Sequence, residues 1–142
     1  SVVQLPFPDR SFHASVSVRL LPHCEAWPNL ISELCRVTVG PVIVDYPTTR
    51  SLNKVAPLFF GAKKQIEGNT RTWRMFSAAE IREAFAANGF GEEGRVGQFF
   101  FPMVLHRLLK CRPLSAALEG VTRATGLNSL FGSPVMVRMV RA

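Results

Sequence analysis

Apolar and polar residues alternate along the segment from Phe12 to Val18, which is the period of a strand with one apolar face. That face carries Phe12, Ala14, Val16 and Val18, and we expect it to pack on the core. A β-branched run, Pro41–Pro47, predicts a second, buried strand. Between the two, "WPNLISELCRV" repeats apolar residues at helical spacing and tolerates its proline in the first turn. The first third of the chain therefore predicts a βαβ unit.

One helix of the second half has a clear start. Ser77 and Glu80 in "SAAE" form a capping box, and the residues that follow carry a buried stripe of Ile81, Ala84 and Phe85 before Gly89 stops the helix. We also expect strands at 95–101 and 134–141, helices at 103–111 and 115–125, and a less regular helix within 52–66. The glycine-rich residues 89–94 are predicted to form a loop.

Composition and length predict a single domain, residues 1–142. The 142 residues are 47% hydrophobic, which is enough to bury a core. No apolar run approaches the roughly 18 to 20 residues that a spanning helix needs, so we expect no membrane span. The three cysteines are widely spaced and include no CxxC pair, which indicates a reducing compartment. We therefore expect a cytoplasmic protein.

The net charge of +7 is concentrated after the second predicted strand. Six cations between Arg50 and Arg74 are opposed by Glu67 alone. Such a segment favours an anionic ligand or surface, or is simply solvated. The stretch "RTWRMF" interleaves cations with aromatic rings, as nucleic-acid binders do, but Trp73 and Phe76 can equally anchor a loop to the core. We do not expect nucleic acid as a partner.

The catalytic motifs that we searched for do not identify a catalytic site in the sequence. Gly89, Gly91 and Gly94 spell GxGxxG, but a phosphate loop must follow a strand and open a helix, whereas here a helix comes first and two glutamates would repel the phosphate. His23 and Cys24 are adjacent without a second pair, so no metal site is predicted. No nucleophile elbow or triad spacing is found.

Two segments, "LPFPDRSFHASVSVRLL" and "LISELCRVTVGPVIVDYP", resemble the second half of class I S-adenosylmethionine-dependent methyltransferases of the type that acts on small molecules. Glu33, Arg36 and Val37 match the E-x-x-R-V pattern of that family, and "FSAAEIREAFAANGF" is similar to its next helix. The resemblance covers nearly the whole chain in order. It implies an α/β chain with a partial Rossmann-like methyltransferase fold, a mixed sheet of about four strands and flanking helices.

The resemblance also implies which part of the family's domain is present. The family's glycine-rich cofactor loop and its ribose-binding acid precede the matched region, so the chain is expected to be the C-terminal half, beginning just before the fourth strand. S-adenosylmethionine would then bind only if the missing N-terminal half is supplied, and we expect no activity from the chain alone.

The resemblance implies site residues as well. Those expected near the cofactor are Leu5, Pro6, Phe7, Ser17, Arg19 and Leu20. Those expected on the acceptor side are His23, Tyr46, Arg50 and Asn53. The catalytic residues are unknown, with His23 or His106 as a base if the acceptor is a hydroxyl.

Loss of the preceding strands would leave the Phe12–Val18 strand as an unpaired edge, which is a template for pairing with another chain. We therefore expect a homo-oligomer formed through this sheet edge, with a small-molecule acceptor if the protein is active. The alternatives are a non-catalytic binding or structural module derived from a methyltransferase, and a basic nucleic-acid-binding protein.

Overall fold

A computed structural model describes residues 4–50, 74–99, 120–122, 124–126 and 132–142. In chain order its elements are β1 (Ser15–Ser17), α1 (Trp27–Val37), β2 (Val42–Tyr46), α2 (Ala78–Ala86), β3 (Phe90–Gly97) and β4 (Val135–Arg141). The strands form one sheet in the order β1-β2-β4-β3. β1 and β2 are parallel, and β4 is antiparallel to both of its neighbours. The predicted α/β chain with a mixed four-stranded sheet is confirmed.

Helix α1 has the predicted bounds, and Leu30, Ile31, Leu34 and Val37 are all buried. The helix ends at Val37. Gly40 lies three residues further on, where a Cβ would lie 2.4 Å from the carbonyl oxygen of His13. The absence of a side chain allows the backbones that lead into β1 and β2 to come this close.

Helix α2 begins with the predicted capping box. The Glu80 backbone N–H donates to Ser77 Oγ at 3.2 Å, and the Ser77 N–H donates to Glu80 Oε2 at 2.7 Å. Ile81 and Phe85 are buried, and Ala84 is half-buried. Gly89 follows with a φ of 75°, a left-handed conformation that ends the helix. The prediction for this helix is confirmed.

The prediction that the apolar residues of the first strand face the core is wrong. Val16 and Val18 are 64% and 51% exposed, and Phe12 and Ala14 are also exposed, whereas Ser17 is buried. The register explains this, because Ser15 pairs with Val42 and Ser17 with Val44, which face α1 and α2. The strand is also shorter than predicted, since Phe12 makes only an isolated bridge to Thr38.

Strand β3 begins five residues earlier than predicted, at Phe90, and ends at Gly97. Residues 89–94 are therefore not a loop, because all but the first belong to β3. The strand forms by pairing along its length with β4, and a bulge between Glu92 and Gly94 takes up the irregularity. Pairing with β4, which is distant in sequence, imposes a strand on this glycine-rich segment. The pattern of neighbouring residues alone does not reveal such a partner.

Other predictions fall partly or wholly outside the described residues. The helices at 52–66 and 103–111 lie outside them, whereas residues 120–122 of the helix predicted at 115–125 are helical. The last strand is confirmed as β4. Across the described ranges, no helix combines the length and the apolar character that crossing a membrane requires.

Candidate functional site

The carboxyl ends of β1 and β2 meet at one edge of the sheet, because these strands are adjacent and parallel. In α/β sheets this is the edge where ligands bind. Six predicted site residues lie at the end of these strands or in the loops directly beyond them: Ser17, Arg19, Leu20, His23, Tyr46 and Arg50. The fold thus brings these six to one edge, and Asn53 lies outside the described residues. Their roles in binding stay a prediction.

Arg19 is held in a left-handed conformation, with φ at 57°. Its backbone N–H donates to Asp45 Oδ1 at 2.6 Å, and Asp45 is only 4% exposed near the end of β2. The Asp45 carboxylate therefore fixes the turn that follows β1. The sequence reasoning missed this role, although a signal was present: an acidic residue near the carboxyl end of the otherwise apolar strand "VIVDY".

Ser17, the last residue of β1, carries a buried hydroxyl that makes no hydrogen bond within the described part of the chain. A buried polar group without a partner is uncommon, since its desolvation is not compensated. Ser17 therefore presents a hydrogen-bonding group at the predicted cofactor edge.

The predicted acceptor residues differ in accessibility. Tyr46 is 1% exposed and packs in the core, with its ring 6.3 Å from that of Phe76. Burial raises the pKa of the Tyr46 hydroxyl. His23 and Arg50 are exposed, and the Arg50 backbone N–H donates to Thr48 Oγ1 at 3.2 Å. Of the acceptor residues that the structure describes, His23 and Arg50 are thus the exposed ones.

Arg74 borders the same edge and is already engaged. Its guanidinium lies 5.4 Å from the ring centre of Trp27 and 5.3 Å from that of Phe76, and it pairs with Glu80 at 2.8 Å. Its backbone N–H donates to the Pro22 carbonyl at 3.0 Å. These contacts tie the loop after β1 to the start of α2, so Arg74 serves the architecture of the edge.

Leu5, Pro6 and Phe7 lie elsewhere, beside the C-terminal half of α1. The Leu5 N–H donates to Glu33 Oε2 at 2.8 Å, and Arg36 donates to the carbonyls of Leu5 and Phe7. The E-x-x-R pair of the sequence resemblance thus holds the N-terminal segment against the helix. The structure does not bring Leu5, Pro6 and Phe7 together with the residues at the strand ends.

The electrostatics of this N-terminal clamp follow from its geometry. Hydrogen bonds from Arg36 and from the Leu5 N–H lower the pKa of Glu33 to about 2. Hydrogen bonds to Glu33 and to Asp9 raise the pKa of Arg36. Both groups are therefore charged across the physiological range.

A polar pocket of about 440 Å³ lies at the opposite end of the sheet, where α1 and α2 end. Two of its three guanidinium groups have partners: Arg36 pairs with Glu33 and Asp9, and Arg141 donates to the carbonyls of Cys35 and Thr38, whereas Arg10 also lines the pocket. Burial raises the pKa of the Cys35 thiol to about 12, so it is not a nucleophile. Arg36, Arg141 and Cys35 therefore have structural roles in this pocket. In the ranges that the structure describes, no three His, Cys, Asp or Glu residues are grouped as a metal site requires.

Comparison with known proteins supplies structural relatives only. No protein-family model and no curated protein sequence matches the chain. It is similar to magnesium protoporphyrin IX methyltransferase from Synechocystis PCC 6803, solved with bound SAH, at 15% identity and a TM-score of 0.60, covering 100% of this chain and 49% of that one.

Two further solved structures extend the comparison. A SAM-dependent methyltransferase from Thermotoga maritima, described as a "possible histamine N-methyltransferase", is 17% identical with a TM-score of 0.64, covering 100% of this chain and 62% of that one. The [4+2]-cyclase SpnF is 17% identical with a TM-score of 0.56, covering 99% and 53%. The chain thus spans 49% to 62% of the length of these proteins, and over that span it has the fold of class I SAM-dependent methyltransferases.

Proposed function

We propose that the chain is the C-terminal half of a methyltransferase that transfers a methyl group from S-adenosylmethionine to a small molecule, and that it is inactive alone. One observation carries this proposal: the whole chain matches about half of a methyltransferase solved with SAH. The segments that resemble this class in sequence follow one another in the same order. A cytoplasmic location belongs to the same proposal and rests on the cysteine pattern.

The edge formed by the ends of β1 and β2 fits the cofactor chemically. The Ser17 hydroxyl is buried and needs a hydrogen-bonding partner, which a bound ligand can supply. Ser17, Arg19 and Leu20 would hold the methionine part of S-adenosylmethionine. Leu5, Pro6 and Phe7 would reach the adenine only if the missing half brings it to their end of the sheet.

Transfer of a methyl group makes limited demands on these residues. S-adenosylmethionine, when bound, supplies an electrophilic methyl group on its sulfonium. Alignment of the acceptor with that group and exclusion of water are then the main requirements. His23 and Arg50 are exposed on the acceptor side and would orient the small molecule, with Asn53 and Tyr46 as further candidates. A base is needed only for an acceptor that must lose a proton early.

Assembly is part of the proposal. In the described sheet β1 pairs only with β2, and its other edge leaves backbone groups to be paired. Parallel strands are normally covered on both faces, whereas Val16 and Val18 are exposed. The cofactor-binding half would add its sheet to this edge. In its absence, a second copy of the chain takes the same place, which gives a homodimer.

Titration with SAH tests the cofactor site. Alone, the chain should bind more weakly than the low micromolar range, which is worth about 7 to 8 kcal/mol. Nuclear magnetic resonance should place the shifts at Ser17, Arg19 and Leu20. Ser17→Ala should weaken binding, and Ser32→Ala, an exposed serine of α1, should not. Shifts confined to the polar pocket at the other end would contradict the proposal.

Sedimentation of the isolated chain tests the assembly. We expect a mass near twice 15.7 kDa. Amide hydrogen exchange should show protection of residues 15–18, whose outer edge a second copy would pair. A folded monomer would contradict the homodimer, and protected amides in that monomer would mean that a segment of the same chain covers the edge.

A non-catalytic module derived from the same fold is the second candidate. The [4+2]-cyclase among the structural relatives has the same fold under a different activity, so the fold alone does not establish methyl transfer. SAH shifts that avoid Ser17, Arg19 and Leu20 in a folded chain would favour the module. A nucleic-acid binder would instead lose affinity steeply with salt, and no binding at about 50 mM salt would eliminate that class.

A further inference from the structure

Among the described residues other than glycine, two have a left-handed backbone conformation: Arg10 and Arg19, both with φ at 57°. This conformation is unfavourable for residues other than glycine, so the surrounding structure must impose it. The two positions lie at opposite ends of the sheet. Arg19 follows β1 at the carboxyl edge, and Arg10 lies beside the C-terminal end of α1, where its N–H donates to the Arg36 carbonyl at 2.9 Å.

The contact that holds Arg19 comes from the side chain of Asp45. Asp45 Oδ1 accepts the Arg19 N–H at 2.6 Å. Asp45 is 4% exposed, and no described cation forms an ion pair with it. The buried side chain of Asp45 thus accepts a hydrogen bond from the backbone of Arg19, an exposed residue. Its effect is to fix the direction in which that residue leaves the strand.

Two arginines at this edge have no partner among the described residues. The guanidinium groups of Arg19 and Arg50 make no hydrogen bond or ion pair with a described residue, and both residues are exposed. Of the other described arginines, Arg36, Arg74, Arg95 and Arg138 each pair with a glutamate, whereas Arg10 and Arg82 form no ion pair with a described residue. Arg19 and Arg50 follow adjacent parallel strands, so they flank the edge where ligands of α/β sheets bind.

We propose that Arg19, positioned by Asp45, binds a carboxylate of the ligand at this edge, and that Arg50 adds to the positive field there. The planar guanidinium fork matches a carboxylate with two parallel hydrogen bonds. Holding the backbone in one conformation beforehand reduces the ordering cost of binding. The inference rests on the proposed function and narrows it, since the ligand at the strand ends carries a carboxylate. Asp45 is a positioning residue, which acts through Arg19.

Titration of the labelled chain with succinate, at constant ionic strength maintained with chloride, tests the site. We expect saturable shifts of the Arg19 backbone N–H and side-chain Nε–H signals. Arg19→Gln should weaken succinate binding about tenfold, the loss expected for one hydrogen-bonded charge. Arg10→Gln is the matched control, because it alters an exposed arginine with the same backbone conformation at the other end of the sheet, and it should leave binding unchanged.

Variants of Asp45 separate positioning from folding. Asp45→Asn keeps an oxygen that can accept the Arg19 N–H and should retain most of the succinate affinity. Asp45→Ala removes the acceptor and should lose as much affinity as Arg19→Gln. If Asp45→Ala does not fold, Arg19→Gly still tests the proposal. Glycine adopts the left-handed backbone conformation without strain, so this substitution removes the side chain and its guanidinium but keeps the backbone. Unchanged succinate affinity in Arg19→Gly would overturn the proposal.

Competition identifies the source of the carboxylate. SAH carries the amino-acid carboxylate, and 5′-methylthioadenosine lacks it. Displacement of succinate by SAH alone assigns Arg19 to the cofactor, and displacement by neither assigns it to the acceptor; both outcomes support the site. An equal loss of succinate affinity in Arg19→Gln and Arg10→Gln would overturn the proposal. Equal succinate-induced shifts at all exposed arginines would overturn it as well. Succinate binding at Arg19 together with SAH shifts confined to the opposite end of the sheet would leave this site intact and count against the methyltransferase.

Discussion

The two faces of the sheet are built from the same kind of residue and have opposite environments. On the face covered by α1 and α2, Val42 and Val44 are fully buried. On the other face, Val16 of β1 and Val18, directly after it, are more than half exposed. Both faces therefore carry valines. The two described helices, α1 and α2, cover the same face, and the register then decides which valines are buried.

The difference matters energetically because burial of a valine side chain contributes about 1.5 kcal/mol or more. The covered face has already gained this stabilisation. On the opposite face it becomes available only when a further layer docks, which is why we assign that face and the β1 edge to assembly.

The largest expected effect comes from placing the same charge on each face. Val44→Asp should unfold the chain, because an unpaired carboxylate in the core costs more than about 4 kcal/mol. Val16→Asp should change stability by less than about 0.5 kcal/mol in a monomer, as exposed substitutions do. Urea titration followed by circular dichroism measures both.

The same pair of variants tests the assembly. Val16→Asp should leave the chain folded and convert the expected dimer to a monomer on sedimentation. Comparable unfolding by both substitutions would mean that the exposed face is covered within the chain itself, and the comparison would fail.

Gly40 lies where the backbones leading into β1 and β2 meet, between the strand with exposed valines and the strand with buried ones. Gly40→Ala places a Cβ 2.4 Å from the His13 carbonyl oxygen and should destabilise the chain by about 1 to 3 kcal/mol, as overpacking does. Gly91→Ala is the control, because a Cβ at Gly91 meets nothing within 4 Å. Equal denaturation midpoints for the two variants would show that the strands can separate there without cost.

Ser17 is a polar residue on the covered face whose hydroxyl has no described partner. Ser17→Ala removes a buried hydroxyl that has no described partner, so we expect the isolated chain to gain about 1 kcal/mol of stability. Thermal unfolding measures this. A loss of stability would indicate that the hydroxyl is hydrogen-bonded in solution without any ligand, which would remove one support of the cofactor site.

The smallest expected effect concerns the clamp of the N-terminal segment on α1. The pKa of Glu33 is lowered from 4.5 to about 2, so its contribution to stability is fully present above about pH 4.5 and is lost as the pH falls toward 2. Glu33→Gln cannot titrate and should flatten the dependence of stability on pH in that window. Glu83→Gln, at an exposed position of α2, is the control. Parallel acid titrations of Glu33→Gln and the parent chain would contradict the clamp.

Local signals predicted those elements whose cause is local. The helical stripe of α1 and the capping box of α2 lie within each helix, and both helices formed as expected. The inward face of β1 could not be predicted, because alternation identifies two faces and not which of them the helices will cover. The start of β3 was missed because its glycines disfavour a strand, and only pairing with β4 imposes one.

The candidate site shows the same division. Arg19 and Arg50 were expected from the family resemblance, and the parallel pairing of β1 and β2 brings them to one edge. The role of Asp45 could not be read from its neighbours in sequence, because its hydrogen-bond partner lies 26 residues earlier. The E-x-x-R pair was noticed as a pattern, but its contact with Leu5 and Phe7 required the fold.

The position of β4 constrains the order in which the chain can fold during synthesis. β4 lies between β2 and β3 and follows both in sequence. The βαβ unit can form as soon as Tyr46 has left the ribosome, but β3 lacks β4, its partner in the described sheet, until Val135–Arg141 emerges. Up to that moment the described sheet is in two separate pieces, and the nascent chain exposes strand edges that chaperones recognise.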